Sequence, residues 1–340
     1  MPSQITRPET RRSQIWFRTA TTVACSAALL ALTASTPAQA EPGYPNKPVR
    51  IFVPYGPGGV GDLTMRLLAQ KLSEQTKQQF VIENRPGAGG VLAAKGVLDS
   101  PADGYTLGVT GNGSAISMSL FKVRPYNMLT DFTQVSVAAS FEMLLAVKGN
   151  SPLKTPKDVV EAAKKNPGKL NFGAINPGST QNLSAHLFKQ ITGADVQIVT
   201  YRTTPELITG ILRGDIDVGF DFYAAYQGAI ADKQLRIIAT SGEARNSLLL
   251  DVPTAREAGF PDYIVTSWNA LAAPAGLPAD VLKTLNAAIN KALADPGLQE
   301  KAKRLGMDAR GSTPEEMRAR MASDIEKWAA VIEKAGIEKQ

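Results

Sequence analysis

The sequence predicts an α/β fold of two lobes, with mainly parallel sheets flanked by helices. Short β-branched and apolar runs alternate with segments of helical spacing along most of the chain, an alternation typical of parallel sheets with helices on both faces. The 340 residues suit about two domains. No linker rich in proline and serine is present in the sequence, so we expect the chain to cross between the lobes on extended strands.

The first forty residues have the layout of a secretory signal peptide. An apolar run at residues 20–32 is followed by Ala38-Gln39-Ala40, a cleavage site of the A-x-A kind. Four arginines make the start basic: Arg7, Arg11, Arg12 and Arg18. The run is short for a membrane-spanning helix, so we expect residues 1–40 to be removed on export. The pair Arg11-Arg12 leaves open whether the Sec or the twin-arginine route is used.

The single cysteine and the single histidine exclude several kinds of site. A disulfide framework needs pairs of cysteines, and zinc sites of the Cys₂His₂ or His₃ kind need more ligands than this chain has. Cys25 lies in the predicted signal peptide, and no G-x-S-x-G nucleophile motif accompanies His186. We therefore predict no catalytic residue, no metal site and no cofactor.

The net charge says little about partners. The whole chain carries +6 at pH 7, but the predicted mature part has 33 basic and 30 acidic residues. So small a surplus is weak evidence for a nucleic-acid partner, and we expect none.

The mature chain alternates between strands and helices up to residue 239. Its first third predicts strands at residues 49–53, 80–82 and 105–109, with helices at 62–77 and 90–98. The middle predicts strands at 143–147, 170–172, 196–199, 218–220 and 236–239, with helices that begin at Thr155, Ser179 and Thr204. Threonine and serine are common N-caps, and proline suits the first helical turn.

The end of the chain is mostly helical. Helices are predicted at residues 278–294 and after Thr313. The last helix carries an apolar stripe that indicates a packing face: Met317, Met321, Ile325, Trp328 and Ile332. With crossings between the lobes at 141–147 and 264–269, we expect lobe I at 41–143 and 266–340, and lobe II at 144–265.

The most informative segment is a glycine loop between the first strand and the first helix. Gly56, Gly58 and Gly61 form a literal G-x-G-x-x-G, and Glu83 follows 22 residues after Gly61, as in a dinucleotide fingerprint. Pro57 removes one N–H from this loop. A carboxylate suits such a nest and helix start as well as a pyrophosphate does. For Asp62 we expect an N-cap role with either ligand.

Three further segments follow predicted parallel strands, where open α/β sheets bind ligands. They are residues 110–114, 174–182 and 201–204. Arg202, in the last of these segments, can pair with a carboxylate. Of three aspartates around the predicted strand at 218–220, Asp221 is the better pocket candidate, because we expect Asp215 and Asp217 to flank a turn. Phe222, Tyr223 and Trp268 either wall the pocket or belong to the core. The predicted ligand-binding residues are Gly58, Gly59, Val60, Gly61, Asp62, Asn112, Ser114, Asn176, Gly178, Ser179, Thr180, Gln181, Tyr201, Arg202 and Asp221.

Several motifs together resemble one known family, the Bug (TctC-like) substrate-binding proteins of tripartite tricarboxylate transporters. The resemblance covers essentially all of residues 41–340. The motifs are Tyr44-Pro45-x-Lys47-Pro48-Val49-Arg50, Pro57-Gly58-Gly59-x-x-Asp62, the stretch 83–90 (ENRPGAGG), Asp103-Gly104-Tyr105-Thr106-Leu107, Val252-Pro253-Thr254-x-x-Glu257-x-Gly259 and Ala273-Pro274-Ala275-Gly276.

The resemblance implies a type II periplasmic binding protein, a Venus flytrap whose two lobes close on a small ligand. It implies no enzymatic activity, a monomer in the periplasm, and delivery of a carboxylate, amino acid or aromatic acid to membrane transporter subunits. Such proteins hold the carboxylate between two loops, here residues 58–62 and 176–181. The sequence departs from the family at Asn182, where histidine is usual, and at Tyr201-Arg202-Thr203, where the family has Tyr-x-Gly.

Two other functions stay open at this point. One is an exported α/β enzyme or nucleotide-binding protein that uses the loop from Gly56 to Gly61. The other is a ligand-sensing partner of a signalling receptor.

Overall fold

The computed structural model describes residues 43–340 apart from Pro177, so the predicted signal peptide lies outside the described residues. The strands are β1 (Val49–Val53), β2 (Phe80–Asn84), β3 (Thr106–Gly111), β4 (Phe132–Lys148), β5 (Leu170–Ile175), β6 (Val196–Tyr201), β7 (Val218–Phe222), β8 (Leu235–Thr240) and β9 (Thr266–Pro274). The helices are α1 (Val60–Thr76), α2 (Val91–Leu98), α3 (Asn112–Leu120), α4 (Pro156–Lys165), α5 (Thr180–Thr192), α6 (Thr204–Arg213), α7 (Tyr223–Ala231), α8 (Ala279–Leu293), α9 (Pro296–Arg304) and α10 (Pro314–Lys334).

The described strands form one mixed sheet, in the order β2-β1-β3-β9-β4-β7-β5-β6, with β8 also paired to β4. Strand β1 is parallel to β2 and β3, and β5 is parallel to β6 and β7. Strands β4 and β9 run antiparallel to their neighbours. The predicted α/β class, with helices flanking a mostly parallel sheet, is confirmed.

Strand β4 belongs to both parts of the sheet. Residues 132–142 pair with β9, whereas residues 143–148 pair with β7 and β8. The sequence predicted only 143–147, because polar residues such as Gln134, Ser136 and Ser140 interrupt the apolar run before it. Most of β4 is buried, so it lacks the alternation that marks a half-exposed strand.

Three helices were not predicted from the sequence: α3, α7 and α9. Helix α3 reads NGSAISMSL, and its glycine and serines have low helix propensity. Ala115, Ile116 and Met118 of α3 are buried, which shows that packing rather than propensity holds this helix. No helix among residues 43–340 is both long and apolar enough to span a bilayer.

The apolar stripe on α10 faces the core as predicted. Met317, Met321, Trp328 and Ile332 are buried, and Ile325 is partly buried against the same core. Thr313 caps the helix together with Glu316 in a capping box.

A charged row on α10 fastens this helix to β4 and β9. The Arg320 guanidinium donates to Ser140 Oγ at 3.0 Å and to the Thr266 carbonyl at 3.3 Å. Trp268 Nε1 donates to Asp324 Oδ2 at 2.5 Å. Lys327 Nζ donates to a carbonyl just before β9, that of Ile264, at 2.6 Å. Helix α10 is therefore tied to the segments where the chain passes between the two parts of the sheet.

Replacing Asp324 tests this attachment. Asp324→Ala leaves the Trp268 N–H without its acceptor, and we expect the free energy of unfolding to fall by about 2 kcal/mol. Glu326→Ala on the exposed face of α10 is the matched control, expected to stay within about 0.5 kcal/mol of wild type. Urea unfolding measures both. Equal stability of the two variants would contradict a bracing role for Asp324.

Candidate functional site

The first loop (residues 54–62) and the second loop (residues 174–182) are built alike. Gly58 and Gly178 are left-handed, with φ of 85° and 76°. The next residues, Gly59 and Ser179, are helix N-caps with φ/ψ of −74°/164° and −72°/163°. A side chain at Gly178 would also meet Leu120, since an added Cβ would stand 2.5 Å from its Cδ2. Both loops thus lead from a parallel strand into a helix N-terminus, and the two residues just before each helix have the same backbone conformation.

Asp62 and Asn182 occupy the same place in these two loops. The Gly58 N–H donates to Asp62 Oδ2 at 2.9 Å, and the Gly178 N–H donates to Asn182 Oδ1 at 3.0 Å. The expectation that Asp62 is the N-cap is wrong: Gly59 is the N-cap, and Asp62 lies in the first turn and reaches back. Asn182 closes the second loop with an amide oxygen where Asp62 uses a carboxylate.

Asp62 is buried and held by several donors. Arg66 Nε donates to Oδ2 at 2.9 Å, and Asn84 Nδ2 donates to Oδ1 at 2.8 Å. Burial alone would raise the pKa of Asp62, but the hydrogen bonds from Arg66, Gly58 and Asn84 together lower it. Asp62 is therefore a fixed anion that shapes the first loop.

Asn84 was missed in the sequence analysis, which singled out its neighbour Glu83. Glu83 forms an ion pair with Arg85 at 2.9 Å. Asn84 also donates to the Tyr55 carbonyl at 2.9 Å, so β2 supports the first loop through an amide. The position of Asn84 at the carboxyl end of β2, beside β1, could have indicated this role from the sequence.

The helix starts leave backbone N–H groups free. Gly59 has no side chain to cap α1, and the N–H groups of Val60, Gly61 and Asp62 have no acceptor among the described residues. At α5 the Ser179 hydroxyl accepts from the Asn182 N–H at 3.1 Å. Within the described part of the chain this leaves the N–H groups of Thr180 and Gln181 without an acceptor. Free N–H groups at a helix N-terminus attract anions.

The third segment, residues 110–114, runs directly from β3 into α3. The ring of Tyr55 lies against Gly61, and the Tyr55 hydroxyl is near Gly113, so the first loop contacts the start of α3. Ser114 lies beside the Tyr126 hydroxyl. Asn112 is 2% exposed, and its Oδ1 finds no partner in the described structure.

Asp221 joins the second loop to the fourth segment, residues 201–204. Gln181 Nε2 donates to Asp221 Oδ1 at 3.0 Å, and the Thr204 hydroxyl donates to Oδ2 at 2.6 Å. Burial raises the pKa of Asp221, and these hydrogen bonds oppose the rise. Asp217, by contrast, accepts from the Asn171 N–H at 2.8 Å, in the turn position expected of it.

The side chains of Tyr201 and Arg202 are not part of this network. The Tyr201 ring packs on Gly210 of α6, and its carbonyl accepts from the Asn176 N–H at 2.9 Å, which holds the second loop. Arg202 is exposed, and its backbone N–H donates to Glu206 Oε2 at 3.1 Å. A ligand contact by the side chain of Tyr201 or Arg202 therefore remains a prediction.

The aromatic residues divide between core and surface. Phe222 packs edge-on against Phe141 with centroids 4.8 Å apart, and Trp268 is 1% exposed beneath Arg320. Tyr223 begins α7 and contacts Gly306. Among the described residues no cluster of histidine, aspartate and glutamate is arranged to hold a metal.

Comparisons with known proteins assign the chain to a family. Residues 64–337 match the profile of the family described as "Tripartite tricarboxylate transporter family receptor", TctC. BugT of Bordetella pertussis is 30% identical over 295 residues, which span 86% of this chain and 90% of BugT.

Two solved structures have the same fold. Rpa4515 of R. palustris, solved with adipate, is 32% identical with a TM-score of 0.79, over 87% of this chain and 99% of that one. MatC of Rhodopseudomonas palustris, solved with bound malate, is 28% identical with a TM-score of 0.74, over 85% of this chain and 100% of that one.

The family consists of non-enzymatic binding proteins, which excludes the exported-enzyme alternative. The resemblance read from the motifs is confirmed. The chain belongs to the TctC family, the periplasmic solute-binding receptors of tripartite tricarboxylate transporters.

Proposed function

We propose that this protein captures a small carboxylate between its first and second loops and delivers it to the membrane subunits of a tripartite transporter. The observation that carries the proposal is the pair of matching loops, each ending in a helix N-terminus with free N–H groups. The adipate and malate in the structures of Rpa4515 and MatC support a carboxylate ligand.

The ligand-binding residues follow from the geometry of the loops. The N–H groups of Val60, Gly61 and Thr180 serve as donors to the carboxylate, together with those of Asp62 and Gln181. The remaining loop residues shape the backbone: Gly58, Gly59, Asn176, Gly178 and Ser179. Asn112 contributes the buried oxygen described above, and Ser114, Tyr201, Arg202 and Asp221 complete the proposed set.

The lobes and the cellular location belong to the same proposal. Lobe I comprises residues 41–143 and 266–340, and lobe II residues 144–265. The change of partner strands near residue 143 of β4, and the start of β9 at Thr266, support these boundaries. Residues 1–40 direct export and are removed, and the mature protein acts as a monomer in the periplasm without binding nucleic acid.

A ligand screen tests the proposal. The mature protein is heated with a library of mono- and dicarboxylates, amino acids and aromatic acids, and unfolding is followed by fluorescence. At a hundred times its Kd, a ligand stabilises the folded state by about 2.7 kcal/mol, so at least one acid should raise the Tm by several degrees. NAD, NADP and ATP serve as controls and should leave the Tm unchanged. A library without a single positive acid would overturn the proposal.

Substitutions at Gly59 test the role of the free N–H groups. The Gly59→Ser hydroxyl can accept from the Asp62 N–H, as Ser179 accepts from Asn182, so it competes with the ligand carboxylate. We expect affinity to fall roughly fivefold, which corresponds to about 1 kcal/mol.

Gly59→Ala is the matched control. Gly59 has φ of −74°, and the nearest atom to an added Cβ is 3.9 Å away, so neither substitution strains the loop. Calorimetric titration with the acid found in the screen should give wild-type affinity for Gly59→Ala. Equal affinities of the serine and alanine variants would exclude the free N–H groups as the carboxylate donors.

A further inference from the structure

We propose that Asp221 selects the ligand by orienting Gln181 and Thr204 so that both present hydrogen-bond acceptors beside the second loop. The preferred ligand is then a carboxylate that also carries a donor, a hydroxyl or an ammonium group. This inference rests on the proposed function and names the class of carboxylate bound.

The geometry around Asp221 supports the first step. Asp221 is 1% exposed at the end of β7, and it receives three donors. Its Oδ1 accepts from Gln181 Nε2 at 3.0 Å and from the Phe222 N–H at 2.9 Å, and its Oδ2 accepts from the Thr204 hydroxyl at 2.6 Å. Because Oδ1 already accepts from the Phe222 N–H, Gln181 can meet it only through a donor. Gln181 must therefore turn its amide nitrogen toward Asp221, and Thr204 must donate its single hydroxyl proton to Asp221.

The outward groups follow from this orientation. The Gln181 amide oxygen makes no hydrogen bond within the described residues, and the Thr204 oxygen keeps its lone pairs. Both side chains belong to the first turn of a helix, α5 for Gln181 and α6 for Thr204. The free N–H groups of Thr180 and Gln181 lie at the start of α5. The second loop thus offers donors for a carboxylate next to acceptors for another group.

Such an arrangement discriminates between acids of the same length. A hydroxyl or ammonium group next to the bound carboxylate satisfies the Gln181 and Thr204 oxygens. A methylene group in the same place displaces water from the two oxygens and offers them no hydrogen bond in return, which costs about 1–3 kcal/mol of binding free energy. A second carboxylate in that place would meet oxygens only and be repelled.

Matched ligands test the inference by calorimetric titration of the mature protein. The sets are succinate, malate and aspartate; glutarate, 2-hydroxyglutarate and glutamate; and propionate, lactate and alanine. In any set that binds, we expect the hydroxy or amino acid to bind about tenfold or more tightly than the parent acid.

Variants of Asp221 and Thr204 test whether the orientation of these hydrogen bonds sets the preference. In Asp221→Asn the amide oxygen must stay on the Oδ1 side to accept from the Phe222 N–H, so the new NH₂ group faces Thr204 and lets the Thr204 hydroxyl turn outward. We expect the tenfold preference to fall severalfold. Asp217→Asn, just before the same strand, is the matched control and should keep the wild-type preference. If Asp221→Asn does not fold, Thr204→Val removes one acceptor at little change in shape and should lower the preference severalfold.

The outcomes distinguish the two proposals. Parent acids that bind as tightly as their hydroxy and amino analogues would overturn the selection by Asp221 and leave carboxylate capture intact. A preference that survives both Asp221→Asn and Thr204→Val would also overturn it. Failure of every acid, here and in the wider screen, would overturn the proposed function and this inference with it.

Discussion

The pairing of one long strand, β4, with both parts of the sheet is the constraint on which the rest of the structure depends. Its first residues hydrogen-bond to β9 and its last to β7 and β8, so breaking either ladder exposes buried backbone groups. Helix α10 adds hydrogen bonds from Arg320 and Lys327 to the same segments. Strands β3 and β5 pair with β9 and β7, the neighbours of β4, so the strands that carry the loops on either side are connected through β4.

The first and second loops bind the N–H of a left-handed glycine with different side chains. Each reverses the chain at a left-handed glycine and then returns a side-chain oxygen to that glycine's N–H. The first loop uses a carboxylate, Asp62, which needs Arg66 and Asn84 to offset its burial. The second uses the neutral Asn182 and caps its helix with Ser179. The first loop therefore keeps more free N–H groups for an anion, since Gly59 has no capping hydroxyl.

Much of the site could be predicted from the sequence because its signals are local. The glycines and N-caps lie directly between a strand and a helix, and their positions in the structure agree with the sequence pattern except at Asp62. The contacts of Asn84, Gln181 and Thr204 could not be predicted, because each joins residues far apart in the chain. The first part of β4, residues 132–142, was missed for a similar reason: its polar residues are accommodated by neighbours on both sides.

The sequence by itself determined the α/β class, most element positions, the glycine loops and the family, since periodicity, caps and motifs act over a few residues. The tertiary structure decided which strands pair, and it decided that Asp221 faces Gln181 and Thr204 while Tyr201 packs on α6. The physical reason is that burial and long-range hydrogen bonds depend on the packing of the whole chain. No local pattern specifies which buried carboxylate will meet which donor.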